Sequence, residues 1–149
     1  MNYPLYSDEF FMNEALREAK KAFEEDEVPV GAIIVSQNTI IARSHNLTET
    51  LCDVTAHAEI LAITSAENYL GSKYLDNCTM YVTLEPCLMC AAATKWAQLG
   101  RLVIAAPDKK AGYSLIGEKV LHPSTDVVKG VLAGEAGELV RGFFRGKRK

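Results

Sequence analysis

His57 and Glu59 stand in the segment Thr55-Ala56-His57-Ala58-Glu59, and Cys87 and Cys90 in Leu84-Glu85-Pro86-Cys87-Leu88-Met89-Cys90, so the chain spells H-x-E followed by P-C-x-x-C. One imidazole and two thiolates are three good zinc ligands, and water in the fourth tetrahedral position would make the centre catalytic rather than closed and structural. A fold that uses them this way must bring the two segments together. Each falls at the expected start of a helix, where the dipole and the unpaired N–H groups favour thiolate. Pro86 fixes the entry into the second of these helices. Glu59 lies two positions from a ligand, on the first turn of the same helix. It can reach zinc-bound water without binding the metal and is placed to move protons. Because zinc lowers the pKa of bound water to about 7, hydrolytic chemistry at an electron-poor carbon is expected.

On the residues alone other readings stay open. C-x-x-C after a strand and at a helix start also suits a thioredoxin-like pair. Cys52, five residues before His57, could instead close the centre as a fourth, structural ligand. The first reading leaves His57 and Glu59 unused, and the second leaves Glu59 with no task. With the open centre, Cys52 and Cys78 are expected to be packed thiols, and His45 and His122 ordinary loop or surface residues.

At 149 residues, 48% hydrophobic and 23% charged, the chain is expected to form one soluble globular domain, 1–149. No apolar run approaches the roughly 18 residues of a membrane span. Met1 to Asp8 carries no targeting pattern, and a cytoplasmic location is expected. The net charge of −3 is uneven. Arg141, Arg145, Lys147, Arg148 and Lys149 put five cations and no acid into the last nine residues, leaving 11 basic against 19 acidic residues elsewhere. Such a tail suits a local contact with a polyanion.

Apolar residues from Phe11 to Phe23 recur at helical spacing, which predicts a helix from Ser7 to about Glu25. Strands are predicted at 30–35 and 40–42 around a turn at 37–39. A helix follows from about Ala56 to Asn68, capped by Asp53 or Thr55. Then come a strand at 79–84, a helix from Leu88 to Gln98, a strand at 101–106, a loop from Pro107 to Pro123 and a short strand at 127–129. The final helix is interrupted by Gly134, Gly137 and Gly142. Strand, helix, strand favours parallel pairing, and the expected fold class is α/β, a three-layer α/β/α sandwich around a mixed sheet of about five strands.

The H-x-E and P-C-x-x-C pair is the signature of zinc nucleobase deaminases. Further matching stretches are Val28-Pro29-Val30-Gly31-Ala32, Asn46, Tyr81 to Cys90, Asp108 with Lys110 and Gly112, His122-Pro123 and Phe143-Phe144-Arg145. On these the chain resembles the cytidine deaminase superfamily and, within it, the bacterial tRNA-specific adenosine deaminases of the TadA type, over nearly its whole length. The resemblance implies that His57, Cys87 and Cys90 hold Zn2+ and that Glu59 is the proton shuttle. It implies Asn46, Val30 and Ala58 as contacts for a flipped base, Asp108 near its ribose, and Phe144 and Arg145 as substrate-binding residues. It further implies a homodimer, a tRNA anticodon stem-loop as partner, and conversion of adenosine to inosine at the wobble position. Two alternatives stand beside it. One is deamination of a free base or nucleoside such as guanine, cytosine or cytidine, and the other is a non-catalytic zinc-stabilised partner subunit. Asp53-Val54 replaces the family's usual Asp-Pro, and the loop from Tyr113 to Ile116 is bulkier than usual, which bears on substrate contacts near it. Lys109-Lys110 suits either a solvated turn or a phosphate contact.

Overall fold

The computed structural model describes residues 2–147, so Arg148 and Lys149 of the basic tail lie outside the described residues. Phe11, Met12, Ala15, Leu16, Ala19 and Ala22 form the buried side of α1 (Asp8–Glu24). Ser7 caps this helix by accepting from the Phe10 N–H at 3.1 Å. β1 (Gly31–Ser36) and β2 (Thr39–His45) form an antiparallel hairpin. Its turn is Gln37 and Asn38 alone, at φ 50° and 61°, a left-handed pair whose twist matches that of the strands. Thr39, expected in the turn, therefore opens β2.

The chain continues through α2 (Ala58–Leu70), β3 (Thr79–Leu84), α3 (Leu88–Trp96), β4 (Arg101–Ala106), β5 (Asp126–Lys129) and α4 (Ala133–Lys147). The five strands lie in the order β2-β1-β3-β4-β5. β1 is antiparallel to both neighbours, and β3, β4 and β5 run parallel. α1 and α4 cover one face of the sheet, α2 and α3 the other. The twofold alternation of strands explains the two cores. Ala32, Ile34, Met80, Val82, Leu102 and Ile104 face α2 and α3, while Ile33, Val35, Tyr81, Val103 and Ala105 face α1 and α4. Strands buried on both sides read as unbroken apolar runs, and this is the α/β/α sandwich with a mixed five-stranded sheet.

The helices also differ from expectation. α2 starts at Ala58, with His57 itself in the N-cap position; Asp53 is not the cap, because its carboxylate accepts from the Thr55 N–H at 2.8 Å and hydroxyl at 2.7 Å in the preceding turn. α3 stops at Trp96, and Gln98 lies beyond it at φ 54°. α4 runs unbroken through Gly134, Gly137 and Gly142. Its helix is held by burial of Ala136 and by Phe143 packed on Phe23, which outweigh the poor propensity of glycine. The 107–123 segment contains two short 3-10 turns, Tyr113–Leu115 and Glu118–Val120.

The start of α1 is tied to the sheet by charge. Arg101 donates both Nη groups to the Asp8 carboxylate at 2.7 Å each, and the Tyr81 hydroxyl donates to it at 2.8 Å. The Arg101 guanidinium holds the Asp8 carboxyl below its ordinary value, against the opposing effect of burial. A depressed carboxyl pKa stabilises the fold above the unfolded value of about 3.9, and that contribution is lost as pH falls through the lower folded value. Asp8→Asn is expected to cost about 1–2 kcal/mol at pH 7, since the pair is partly exposed. Urea unfolding in increasingly acidic buffer should show the gap to wild type closing as pH falls below the ordinary carboxylate range. A gap unchanged by acid would remove the ion pair from this account.

Candidate active site

β3 ends at Leu84, and Glu85-Pro86 carries the chain directly to Cys87, the N-cap residue of α3. Cys90 follows in the first turn of that helix, and His57 occupies the N-cap of α2. Neither N-cap side chain makes a capping hydrogen bond, so both are free for another partner. The sheet brings the two helix starts together. His57 Nδ1 lies 3.7 Å from Cys87 Sγ and 3.5 Å from Cys90 Sγ, and all three donor atoms fall within 4.8 Å of one another. Zinc bonds of about 2.0–2.1 Å to nitrogen and 2.3 Å to sulfur subtend an N···S edge of about 3.6 Å at the tetrahedral angle, so the cradle fits the ion.

Among the described residues no fourth His, Cys, Asp or Glu joins this cluster. Cys52 is exposed, at φ 51° in a loop, with its thiol toward the Glu49 carbonyl at 3.7 Å. It is neither the packed thiol expected nor a member of the cluster, whereas Cys78 is buried as expected. His45 lies between Glu18 and Glu25, and His122 bonds Ser124; both stand apart from the cradle.

Glu59 is only 4% exposed, and burial pushes its carboxyl up to about 7. The Cys90 thiol, by hydrogen bonding, holds Cys87 down to about 5, with His57 adding to the effect. The same bond and burial push Cys90 up. Cys87 is thus the first of the pair to ionise, and a coordinated cation deprotonates both.

A cavity of about 250 Å³ opens beside the cradle. His57, Ala58, Glu59 and Cys87 line it together with Val30, Asn46 and Asp108, which brings the residues expected around a base to one cavity. Its volume lies just below the usual range for ligand pockets and suits one heterocycle. Phe144 and Arg145 do not reach it. They line an adjoining groove of about 770 Å³ with Lys109, Lys110 and Arg141, and the two spaces share Val28, Leu84, Asp108 and Ala111. Asp108 Oδ1 accepts from the Lys110 N–H at 3.0 Å and the Ala111 N–H at 3.1 Å, so one oxygen shapes the loop.

Tyr113 is fully buried in the core while Leu115 and Ile116 are exposed, and residues 113–116 do not line the cavity. The bulkier part of the loop therefore lies outside the cavity. The tail cations are less free than their sequence implies. Arg141 and Arg145 pair with Glu138, and Lys147 with Asp26. Thr48, Leu84, Glu85 and Ala111 also line the cavity and had not been expected there. Thr48 had only its nearness to Asn46 in the 46–50 loop to mark it, since the chain turns at residue 48 and no strand alternation applies there. Glu85 had only its place inside the second motif to mark it.

The family described as the cytidine and deoxycytidylate deaminase zinc-binding region matches residues 5–106. The tRNA-specific adenosine deaminase of Bacillus subtilis is 46% identical over 147 residues, covering 95% of this chain and 91% of the relative. That of Aquifex aeolicus is 46% identical over 142 residues, covering 92% and 93%. A solved structure from studies of A-to-I editing by tRNA:A34 deaminases at the wobble position of transfer RNA is 44% identical, with a TM-score of 0.81 over 87% of this chain and 98% of that one. A guanine deaminase structure from Bacillus subtilis is 35% identical, with a TM-score of 0.66 over 78% of this chain and 74% of that one. Since the matched segment runs from α1 to the end of β4 and contains all three donors and Glu59, the chain belongs to the zinc-binding cytidine and deoxycytidylate deaminase family, where its 46% identical relatives are tRNA-specific adenosine deaminases.

Proposed function

We propose that this chain, a single deaminase domain, is a zinc-dependent hydrolase that converts adenosine to inosine at the wobble position of a tRNA anticodon. The observation that carries the reading is the three-donor cradle opening on a base-sized cavity with a buried carboxylate beside it. His57, Cys87 and Cys90 would hold the ion. When bound, zinc supplies the Lewis acidity that lets water act as a nucleophile at neutral pH. Glu59 takes a proton from the attacking water and delivers it to ring N1, then takes the remaining proton from the hydroxyl added at C6 and passes it to the amine, which leaves as the C6 carbonyl forms. Adenosine and water become inosine and ammonia. Val30 and Ala58 provide apolar walls for the base, the Asn46 amide meets its polar edge, and the second oxygen of Asp108 accepts from a ribose hydroxyl.

The groove beyond the cavity favours RNA over a free base. Lys109, Lys110, Arg141 and Arg145 line it, where the phosphates of a nucleotide seated in the cavity would continue. A free-base deaminase is the second reading, favoured by the likeness to guanine deaminase structures. A homodimer fits the apolar side of α3, where Met89 and Trp96, two turns apart, are 36% and 84% exposed. A cytoplasmic location is part of this reading, because it is where a tRNA substrate is met. Among the described residues no helix is long and apolar enough to cross a membrane.

Purified protein incubated with an anticodon stem-loop carrying adenosine at the wobble position should form inosine and release ammonia. Guanine, cytosine, adenosine and cytidine, each supplied free, should remain unchanged. Turnover of one of these with none on the stem-loop would replace the RNA reading by the free-base one.

A further inference from the structure

Glu27 is a carboxylate with no exposed surface, outside the metal cradle and unused by the deamination steps. It closes the acidic run Glu24-Glu25-Asp26-Glu27, whose first three members are exposed. An ionised group is buried at high cost unless hydrogen bonds replace its water. Its replacements come from one loop. Oε2 accepts from the Thr50 N–H and the Thr50 hydroxyl, each at 2.7 Å, and Oε1 accepts from the Glu49 N–H at 3.1 Å. The Thr48 hydroxyl at 3.4 Å and Asn46 Nδ2 at 3.5 Å complete the ring of donors around Oε1. The opposite end of the loop is fixed by the Asn46 N–H donating to the Val30 carbonyl at 3.1 Å.

Asn46 and Thr48, both held by Glu27, also line the base cavity. A carboxylate only accepts, so it determines which end of the Asn46 carboxamide is nitrogen. The Thr48 hydroxyl lies 3.4 Å from the same Nδ2 and reinforces the choice. What the amide retains for a base edge is Oδ1. We propose that Glu27 is a positioning residue of the base pocket: it sets the 46–50 loop and the orientation of the Asn46 amide, and through them the fit of the base. The proposal rests on the reading that Asn46 contacts the base. Glu27→Gln is a harsh change despite its shape, because its new NH2 would face the N–H groups of Glu49 or Thr50.

The test is a double-mutant cycle on the full chain, with the adenosine stem-loop as substrate and zinc content measured for every variant. Glu27→Gln should lower kcat/KM about tenfold to a hundredfold with zinc retained, the size of a misplaced contact. In the Asn46→Ala background the same change should cost less than about twofold, since the group it positions is gone. Equal losses in both backgrounds would mark Glu27 as a general support of the fold and overturn the proposal, as would unchanged kcat/KM in Glu27→Gln. If Glu27→Gln fails to fold, Thr50→Val removes one donor from an exposed residue and keeps its backbone N–H. It should cost about threefold alone and nothing beside Asn46→Ala, and equal costs in both overturn the proposal. Wild-type protein inactive on the stem-loop but active on guanine would overturn the RNA reading only. The same cycle then runs on guanine, where a loss confined to the Asn46 background supports the positioning role and equal losses overturn it.

Discussion

Glu59→Ala is expected to keep its zinc and its fold and to lose nearly all deaminase activity. The carboxylate is 4% exposed yet is not one of the three clustered donors, so removing it takes away a proton carrier and no ligand. Burial pushes its carboxyl up to about 7, which means that its ionised form is held at a cost to the fold. A positioned acid or base contributes about 10²–10⁴-fold, and more where one group serves the water, N1 and the leaving amine in turn. Glu59→Gln separates shape from proton transfer, since it keeps the volume and cannot carry the proton; it should be as inactive as the alanine variant. Inosine formation on the stem-loop, elemental analysis and thermal melting decide the matter together. Normal turnover would remove Glu59 from the mechanism. Loss of zinc would make it a ligand and close the coordination position that water needs.

The donor set was legible in the sequence because each half of it is local. H-x-E fixes His57 and Glu59 on one helix turn and P-C-x-x-C fixes two thiols on another, so the sheet has only to bring two helix starts into contact. The sheet was legible for a related reason. β1, β3 and β4 are buried on both faces, and their apolar runs need no partner to be recognised. What escaped depends on the rest of the molecule. α4 is continuous because Phe143 finds Phe23 and Ala136 is buried, and neither contact is visible in a glycine-rich segment. Cys52 is exposed because its loop turns through a left-handed residue, which the residue type does not announce. Glu27 ends an acidic run and carries no signal of its own in the sequence, and its burial becomes meaningful only when the 46–50 loop arrives with its donors. The tail cations showed charge without showing Glu138 and Asp26, which take up three of them. Local chemistry was readable, and the partners supplied by distant segments were not.

Cys87→Ala and Cys90→Ala should each abolish zinc retention and, with it, all measurable activity. Two remaining donors cannot hold the ion against competition from water and buffer, and the affinity of such sites comes from the full set acting together. Cys78→Ala and Cys52→Ala are the controls. Cys78 is buried outside the cradle and Cys52 is exposed, so both should keep one zinc per chain. The Cys52 variant decides whether the centre is open: zinc loss there would mean that this loop thiol closes the coordination sphere and leaves no place for water. Stability gives an independent reading. An ion bound only to the native state raises the melting temperature, so a chelator should lower it in wild type. In Cys90→Ala, already without metal, the same chelator should change nothing. Zinc retained at wild-type level in either ligand variant, or a chelator shift that survives Cys90→Ala, would place the ion elsewhere and detach the deaminase chemistry from the His57, Cys87 and Cys90 cradle.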